Sequence, residues 1–125
     1  MLFFIFSAER IRAKGRTKMK VLSTYGDGRL NLFFRGELDH HEARRAMDNI
    51  ERMLDEYLPR DCVIDLGGLS FMDSSGIAVI LKIARRLGQM GGRAWVENPT
   101  GQPLRVLDAS GIDRLVRITV SGGVN

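Results

Sequence analysis

A short apolar run at residues 61–66 lies between two longer segments whose apolar residues recur at three- and four-residue steps. This periodicity predicts two amphipathic helices, the first from the N-cap Asp39 to a stop at Pro59 and the second over residues 74–90. A run of this length between two helices suits an interior strand that is buried on both faces, and Cys62 is then a core residue. Because strands that alternate with helices need crossover connections, this order predicts parallel strands in an α/β fold.

Four further strands are predicted from short apolar stretches bounded by turn residues, at 20–25, 29–35, 93–97 and 114–119. The first two flank Gly26-Asp-Gly28, which predicts a tight antiparallel hairpin. Gly67-Gly68 is expected to be a turn, and a short third helix is expected over residues 102–109. On the second helix, the predicted apolar stripe consists of Ile77, Ile80, Leu81, Ala84 and Leu87. We therefore predict one α/β domain over residues 19–120. Its sheet is mixed and has four to five strands, with an antiparallel N-terminal hairpin, parallel later strands and helices packed against it.

The basic charge of the chain is concentrated in its first residues. Residues 1–20 hold six Lys and Arg against one acid, whereas residues 21–125 hold 13 against 14. Because phosphate contacts supply most non-specific affinity for nucleic acids, a nearly neutral body predicts no direct nucleic-acid partner. We interpret residues 1–18 as a disordered basic extension, or as upstream sequence read through with Met19 as the true start. Residues 121–125 are expected to be a frayed end.

The apolar start of the extension, residues 1–6, is too short for a membrane span, which needs about 20 apolar residues. A signal peptide would carry its positive charge before the apolar stretch, and here the order is reversed. The alternative to a disordered extension is a weak interfacial anchor, with Phe3, Phe4 and Phe6 in the lipid and the basic side chains on headgroups. Since the single cysteine cannot form an intramolecular disulfide, the reducing cytoplasm is the default compartment.

Few side chains offer metal or catalytic chemistry. His40 and His41 are the only histidines, and neighbouring helical residues point about 100° apart, so we expect two solvated imidazoles rather than metal ligands. The sequence lacks a nucleophile-and-base signature and a Walker lysine, and no cofactor is expected. The sharpest enzyme-like alternative is a response-regulator receiver that is phosphorylated on Asp65, at the end of the buried strand. A receiver also needs an acidic pair and a lysine at a strand end, but the only lysine after Lys20 is Lys82, inside the second helix.

The polar sequence Asp73-Ser-Ser-Gly76 opens the second helix. One interpretation is that one of these side chains only caps the helix. The other is a phosphorylation site, because first-turn N–H groups lack intrahelical partners and the helix dipole is positive there, so the fold tolerates an added dianion. If the second and third strands are parallel, the loops that follow them leave the same sheet edge, which brings residues 36–39 beside this motif. Phosphate would then add about −1.5 to −2 charge near Glu37 and Asp39 and repel an acidic or apolar partner.

Two stretches of the sequence carry a family resemblance. They are Gly36-Glu-Leu-Asp-His-His41 and Leu69-Ser-Phe-Met-Asp-Ser-Ser-Gly-Ile-Ala-Val-Ile-Leu81. Together they closely resemble the anti-sigma-factor antagonists, a bacterial STAS-domain family, and the similarity runs over about residues 19–119. The resemblance implies a single STAS domain.

The resemblance also implies a phosphoacceptor and a docking edge. In the family, the first serine of the motif accepts phosphate from a partner anti-sigma factor that is itself a serine kinase, and a PP2C-type phosphatase removes it. That serine corresponds to Ser74. The other residues implied to bind the partner are Gly36, Glu37, Asp39, Asp73, Ser75 and Gly76. Unmodified protein would capture the kinase and free a sigma factor, whereas phosphorylated protein would let go, so the chain itself would catalyse nothing.

The end of the chain departs from the family pattern. Family members commonly have a further helix after the last strand, and residues 121–125 are too short and too glycine-rich to build one. The sheet face that this helix covers is then expected to be exposed or to pair in a homodimer. An alternative function is that of a non-enzymatic scaffold or transport-associated STAS subunit, which uses the same fold and sometimes retains the serine without a dedicated kinase.

Overall fold

The short apolar stretches, whose side chains alternate between two faces, build one mixed sheet. The computed structural model describes the backbone of residues 2–7 and all of residues 19–120. Within these ranges the strands are β1 (Leu2–Ser7), β2 (Lys20–Gly26), β3 (Arg29–Leu38), β4 (Asp61–Met72), β5 (Arg93–Glu97) and β6 (Ile118–Thr119). The helices are α1 (His40–Tyr57), α2 (Ser74–Gln89) and α3 (Gly101–Ser110), with a 3-10 turn over Ile112–Arg114. The strands lie side by side in chain order from β1 to β6.

The directions of the strands agree with the predicted fold class. β1, β2 and β3 are antiparallel neighbours, whereas β3, β4, β5 and β6 are parallel neighbours. The turn between β2 and β3 uses two left-handed residues, Asp27 with φ 53° and Gly28 with φ 77°, as a two-residue hairpin requires. The prediction of an α/β domain with an antiparallel N-terminal hairpin and parallel later strands is therefore confirmed.

β1 adds a strand to the predicted sheet. It pairs with β2 from Leu2 opposite Tyr25 to Ser7 opposite Lys20. This pairing differs from the expectation that this stretch is part of a disordered extension. A run of six residues with high strand propensity is long enough to pair along the outer edge of β2. The expectations for residues 8–18 and 121–125 concern parts of the chain outside the described residues.

One face of the sheet and the two long helices form most of the core, which also includes Leu107 of α3. Strand pairing places Leu32, Ile64 and Val96 side by side on β3, β4 and β5, and they share one buried cluster with Ile50 of α1 and Ile83 of α2. Burial of a side chain of this size contributes about 1.5–3 kcal/mol, so this helix-on-sheet layer is the main source of stability. None of the helices within the described residues is long and apolar enough to cross a membrane.

The two long helices begin and end near the predicted positions, but the apolar stripe of α2 is rotated. Its buried residues are Gly76, Val79, Ile80, Ile83 and Leu87. The other three predicted stripe residues, Ile77, Leu81 and Ala84, are only partly buried. Apolar residues occupy nearly every position from 77 to 84, so periodicity alone does not identify the core-facing side, and packing against α1 and the sheet selects it.

β4 continues well beyond the predicted run, and the predicted turn at Gly67-Gly68 is wrong. β4 extends over 12 residues, because β3 also continues, as far as Leu38, and the two strands remain paired with register shifts on either side of Arg35. A Cβ on Gly68 would lie 2.9 Å from the carbonyl oxygen of Phe34 and 2.7 Å from Cγ of Arg35. The glycine therefore permits a close approach of the two backbones rather than a reversal of the chain.

The last predicted strand is shortened for a local reason. Only Ile118–Thr119 pairs with β5, whereas residues 114–119 were the predicted span. The backbone N–H groups of Leu115 and Val116 both donate to the carbonyl oxygen of Ile112, at 2.8 and 2.9 Å. The first bond is of the 3-10 type and the second spans four residues, and together they keep the residues before Arg117 out of the sheet ladder.

The close approach at Gly68 leads to a prediction about stability. Gly68→Ala should lower the free energy of unfolding by about 1–3 kcal/mol, because the added methyl group meets backbone atoms that cannot move aside. Gly88→Ala is the matched control, since Gly88 lies in α2 with open space around it, and this change should raise stability by about 0.5–1 kcal/mol. Urea unfolding monitored by circular dichroism measures both, and equal unfolding midpoints would contradict the packing argument.

Candidate functional site

The carboxyl ends of β3 and β4 meet at one edge of the sheet. Leu38, the last residue of β3, pairs with Met72, the last residue of β4. Beyond this pair, the backbone N–H of Asp73 donates to the carbonyl oxygen of Leu38 at 3.2 Å. The end of the 36–39 segment therefore lies beside the start of the Asp73-Ser-Ser-Gly76 motif. The predicted adjacency of the two loops is confirmed.

A capping aspartate starts each of the two long helices at this edge. Asp39 has extended backbone, and its Oδ1 accepts a hydrogen bond from the N–H of Glu42 at 3.0 Å. Asp73 does the same for α2, and its Oδ1 accepts from the N–H of Ser75 at 2.8 Å. Two positive helix ends therefore lie side by side, each with a carboxylate as its cap.

Ser74 occupies the first helical position of α2 and is exposed to solvent. Because Asp73 supplies the side-chain cap, the hydroxyl of Ser74 is not needed for that role. Ser75 is half-buried, and its N–H is held by the Asp73 carboxylate. Of the two serines in the motif, Ser74 presents the more accessible hydroxyl.

The acidic members of the expected docking edge lie at the same edge of the sheet as this serine. Glu37 pairs with Phe71 across the β3–β4 ladder, and Asp39 follows Leu38 directly. Glu37, Asp39 and Asp73 are each half-buried, so their carboxylates border the surface rather than project from it. The edge therefore combines three acidic side chains with the exposed start of α2.

Two glycines of the expected docking edge lie beneath the surface. Gly36 is buried at φ 97°, where its carbonyl oxygen accepts a hydrogen bond from the hydroxyl of Ser70 at 3.3 Å. Gly76 is also buried, and a Cβ there would overlap the side chain of Met72 and lie 3.3 Å from Cδ2 of Leu38. Both glycines therefore contribute through backbone conformation and packing and are not part of the exposed surface.

Gln102 is a residue of this site that the sequence analysis does not single out. Its Oε1 accepts from the N–H of Met72 at 2.8 Å, and its Nε2 donates to the carbonyl oxygen of Met72 at 2.9 Å. β5 pairs with β4 only as far as Asp65, so the amide of Gln102 takes the place of a strand at the far end of β4. A glutamine after the loop 98–100 gives no signal in the sequence, because its partner is 30 residues away.

Asp65, the alternative phosphoacceptor, lies within β4 and not at its end. Its Oδ1 accepts from the N–H of Gly67 at 2.8 Å, and its Oδ2 accepts from Nδ2 of Asn98 at 2.9 Å. This carboxylate fastens β4 to the loop after β5. Within residues 19–120, no three His, Cys, Asp or Glu side chains are grouped so that they could hold a metal ion.

The remaining candidate side chains have structural environments. His40 and His41 are exposed at the start of α1, with ring centroids 5.7 Å apart in an edge-to-face arrangement. Cys62 is fully buried in the core, and burial raises the pKa of its thiol. The thiolate that reacts as a nucleophile or binds metals is therefore disfavoured at this position.

The two hydrogen bonds of Gln102 lead to a prediction about the end of β4. Gln102→Ala should cost about 1–3 kcal/mol of unfolding free energy, because it leaves the Met72 N–H and carbonyl without their partners. The Met72 amide should also exchange its proton faster than in the parent protein, as NMR hydrogen exchange can measure. Gln89→Ala, at an exposed position in α2, is the control and should change stability by less than about 0.5 kcal/mol. An unchanged exchange rate of the Met72 amide would show that Gln102 does not hold the end of β4.

Comparison with known sequences places this geometry in a family. Residues 21–122 match the STAS domain. The anti-sigma F factor antagonist of Paenibacillus polymyxa is 38% identical over 87 residues, which span 66% of this chain and 71% of that protein. The anti-sigma F factor antagonist of Lysinibacillus sphaericus is 35% identical over 77 residues, which span 62% of this chain and 66% of that protein.

Comparison with solved structures agrees in fold. The anti-sigma factor antagonist SpoIIAA, solved in its unphosphorylated form, superimposes with a TM-score of 0.69 at 24% identity. The match covers 87% of this chain and 99% of that structure, and a phosphorylated form of a Bacillus SpoIIAA is also a structural match. The sequence match over most of the chain and the shared fold show that this protein belongs to the STAS domain family.

Proposed function

We propose that the protein is an anti-sigma factor antagonist whose binding to an anti-sigma factor is controlled by phosphorylation of Ser74. The unmodified protein binds an anti-sigma factor that is itself a serine kinase and displaces a sigma factor from it. Transfer of phosphate to Ser74 ends the complex, and a PP2C-type phosphatase restores the binding form. The protein is a competitor and a substrate in this cycle and not a catalyst, and the cycle operates in the cytoplasm, where sigma factors act.

The exposed position of Ser74 at the start of α2 carries this proposal. The neighbouring Asp73 provides the helix cap, so modification of Ser74 breaks no cap hydrogen bond. The two curated relatives support the partner class, since both are named as antagonists of an anti-sigma F factor. The occurrence of unphosphorylated and phosphorylated forms among the structural relatives supports control by phosphate.

The charges around Ser74 explain how a phosphate can release a partner without unfolding the protein. At the start of α2, backbone N–H groups and the helix dipole favour a negative group by about 0.3–1 kcal/mol, which offsets part of the repulsion from Asp73. On the partner side, a phosphate adds about −1.5 to −2 charge to an edge that already holds Glu37, Asp39 and Asp73. The change therefore acts on the docked surface more than on the core.

The phosphorylation step is tested with variants of the two adjacent serines. The host's candidate anti-sigma kinases are incubated with the protein and ATP, and mass spectrometry locates the phosphate. Parent protein and Ser75→Ala should be phosphorylated at Ser74, whereas Ser74→Ala should take up no phosphate, because the half-buried Ser75 hydroxyl is a poorer acceptor. Lack of phosphate on Ser74 with every kinase would refute the proposed control.

The release step is tested by the affinity of the same kinases for uncharged and charged variants. Ser74→Ala and Ser74→Asn should bind as the parent does, and Ser74→Asp should bind at least about tenfold more weakly, because only the last variant adds charge to the acidic edge. Isothermal titration calorimetry gives the affinities, and circular dichroism establishes that each variant is folded. Equal affinity of Ser74→Asn and Ser74→Asp would mean that charge does not control the complex.

A further inference from the structure

A second surface feature lies at the end of the parallel strands opposite to Ser74, around the start of β5. A groove of about 310 Å³ is lined by Ala84, Arg93, Ala94, Trp95, Leu115 and Arg117, and we refer to it as the Trp95 groove. Its volume is at the lower limit of the roughly 300–1,000 Å³ that small-molecule sites occupy. The groove therefore has room for one or two side chains and not for a large cofactor.

The residues that line the Trp95 groove include two arginines and no acidic side chain. Arg93 and Arg117 are exposed, and neither forms an ion pair with any other residue that the structure describes. Two acidic side chains contact residues around the groove, and of these only Asp61 is in an ion pair. Asp61 pairs with Arg29 at 3.3 Å, and Glu97 accepts a hydrogen bond from the indole N–H of Trp95 at 2.9 Å. The groove is thus complementary to a negatively charged ligand.

One apolar side chain of the groove, Leu115, is strongly exposed. Leu115 is 76% exposed and is one of three large apolar side chains that are exposed within the described residues. Trp95 lies beside it but is only 7% exposed, and the guanidinium carbons of Arg29 and Arg117 are 5.1 and 4.9 Å from its ring centroid. The side chains that a ligand can contact are therefore Leu115 and the exposed Arg93 and Arg117, and arginine is among the residues that contribute most to the binding energy of protein interfaces.

The backbone beside the groove also has an open edge. β6 pairs with β5 only at Val96 and Glu97, and the N–H of Val96 donates to the carbonyl oxygen of Arg117 at 2.9 Å. Alternate residues of a strand direct their N–H and C=O groups to the same edge. The backbone of Ala94 therefore points to the side of β5 that no described strand covers, where an extended segment can add hydrogen bonds.

We infer that the Trp95 groove binds an extended acidic segment of a partner protein, with an apolar side chain of that segment against Leu115 and its carboxylates on Arg93 and Arg117. Three features of the groove point to this one ligand class: unpaired arginines, an exposed leucine and an open strand edge. Nucleic acid fits less well, because residues 21–125 are nearly neutral and the groove offers an apolar contact instead of a continuous basic surface.

The Trp95 groove is far from Ser74. β5 begins opposite Asp61 at the amino end of β4, whereas Ser74 follows Met72 at the carboxyl end. At about 3.3 Å per residue, these ends are on the order of 30 Å apart. At physiological ionic strength the Debye length is about 8 Å, so the charge at Ser74 is screened over such a distance. Binding in the groove is therefore independent of the phosphorylation state, and the protein can hold this partner in both states.

A synthetic acidic peptide tests the inference on the full-length protein. The probe is a blocked pentapeptide with leucine between two pairs of glutamates, titrated into ¹⁵N-labelled protein. The peptide should shift the amide signals of Arg93, Ala94 and Leu115 in a saturable manner. The fluorescence of Trp95, the only tryptophan of the chain, should change with the same midpoint. The same peptide with lysines in place of the glutamates should not bind, and lack of saturable shifts with the acidic peptide would overturn the inference.

Matched variants distinguish binding in the groove from a general effect of charge on the peptide. Arg93→Glu leaves both arginine contacts to the Trp95 ring in place and should weaken peptide binding about tenfold or more. Arg105→Glu, an equal change at an exposed position on α3, should have less than about a twofold effect. Leu115→Ser should weaken binding, and Leu58→Ser, at the other exposed leucine, should not. Equal effects of Arg93→Glu and Arg105→Glu would refute a specific site.

Further measurements decide the ligand class and test whether binding is independent of charge at Ser74. Inorganic phosphate or a short DNA duplex that binds the groove as tightly as the peptide would overturn the inference, as would a concentration-dependent dimer that buries it in sedimentation experiments. Ser74→Asp should bind the acidic peptide as the parent does, within about twofold. This last result does not depend on the anti-sigma kinase, so the inference and the proposed function can fail separately.

Discussion

The parallel pairing of β3 with β4 is the constraint on which the rest of the structure depends. The pairing continues to Leu38 and Met72, the last residues of the two strands, and a long helix follows each of them after a single capping aspartate. The starts of α1 and α2 must therefore lie side by side at one edge of the sheet. Gly68 makes this extension possible, because any larger residue would meet the backbone of β3.

The proposed phosphorylation site is a residue that makes no side-chain cap to its helix. Asp73 caps α2, Gln102 holds the backbone of Met72, and Gly76 leaves room beneath the loop for the side chain of Met72. The exposed Ser74 is the member of the motif that remains accessible. A charged group added there changes the surface that a partner meets, while the core between the helices and the sheet stays as it is.

Much of this arrangement could be predicted from the sequence, because it rests on local patterns. Asp39 precedes a periodic segment and Asp73 opens another, so both helix starts are visible in the sequence. The errors arose where a local pattern has two solutions. Gly67-Gly68 suits either a turn or a close strand pair, and an apolar stretch such as 77–84 has no single core-facing side. Gln102 gave no signal, because its hydrogen bonds reach a residue that is distant in sequence.

The sequence by itself determined the α/β class, the antiparallel hairpin, the helix starts and the motif that contains Ser74, since each depends on residues a few positions apart. The tertiary structure alone decided how far β3 and β4 remain paired, which side of α2 is buried and that β6 covers only the end of β5. It also brought Arg93, Trp95 and Leu115 around one groove. These features depend on the balance of packing between elements that are distant in sequence, and no local propensity carries that information.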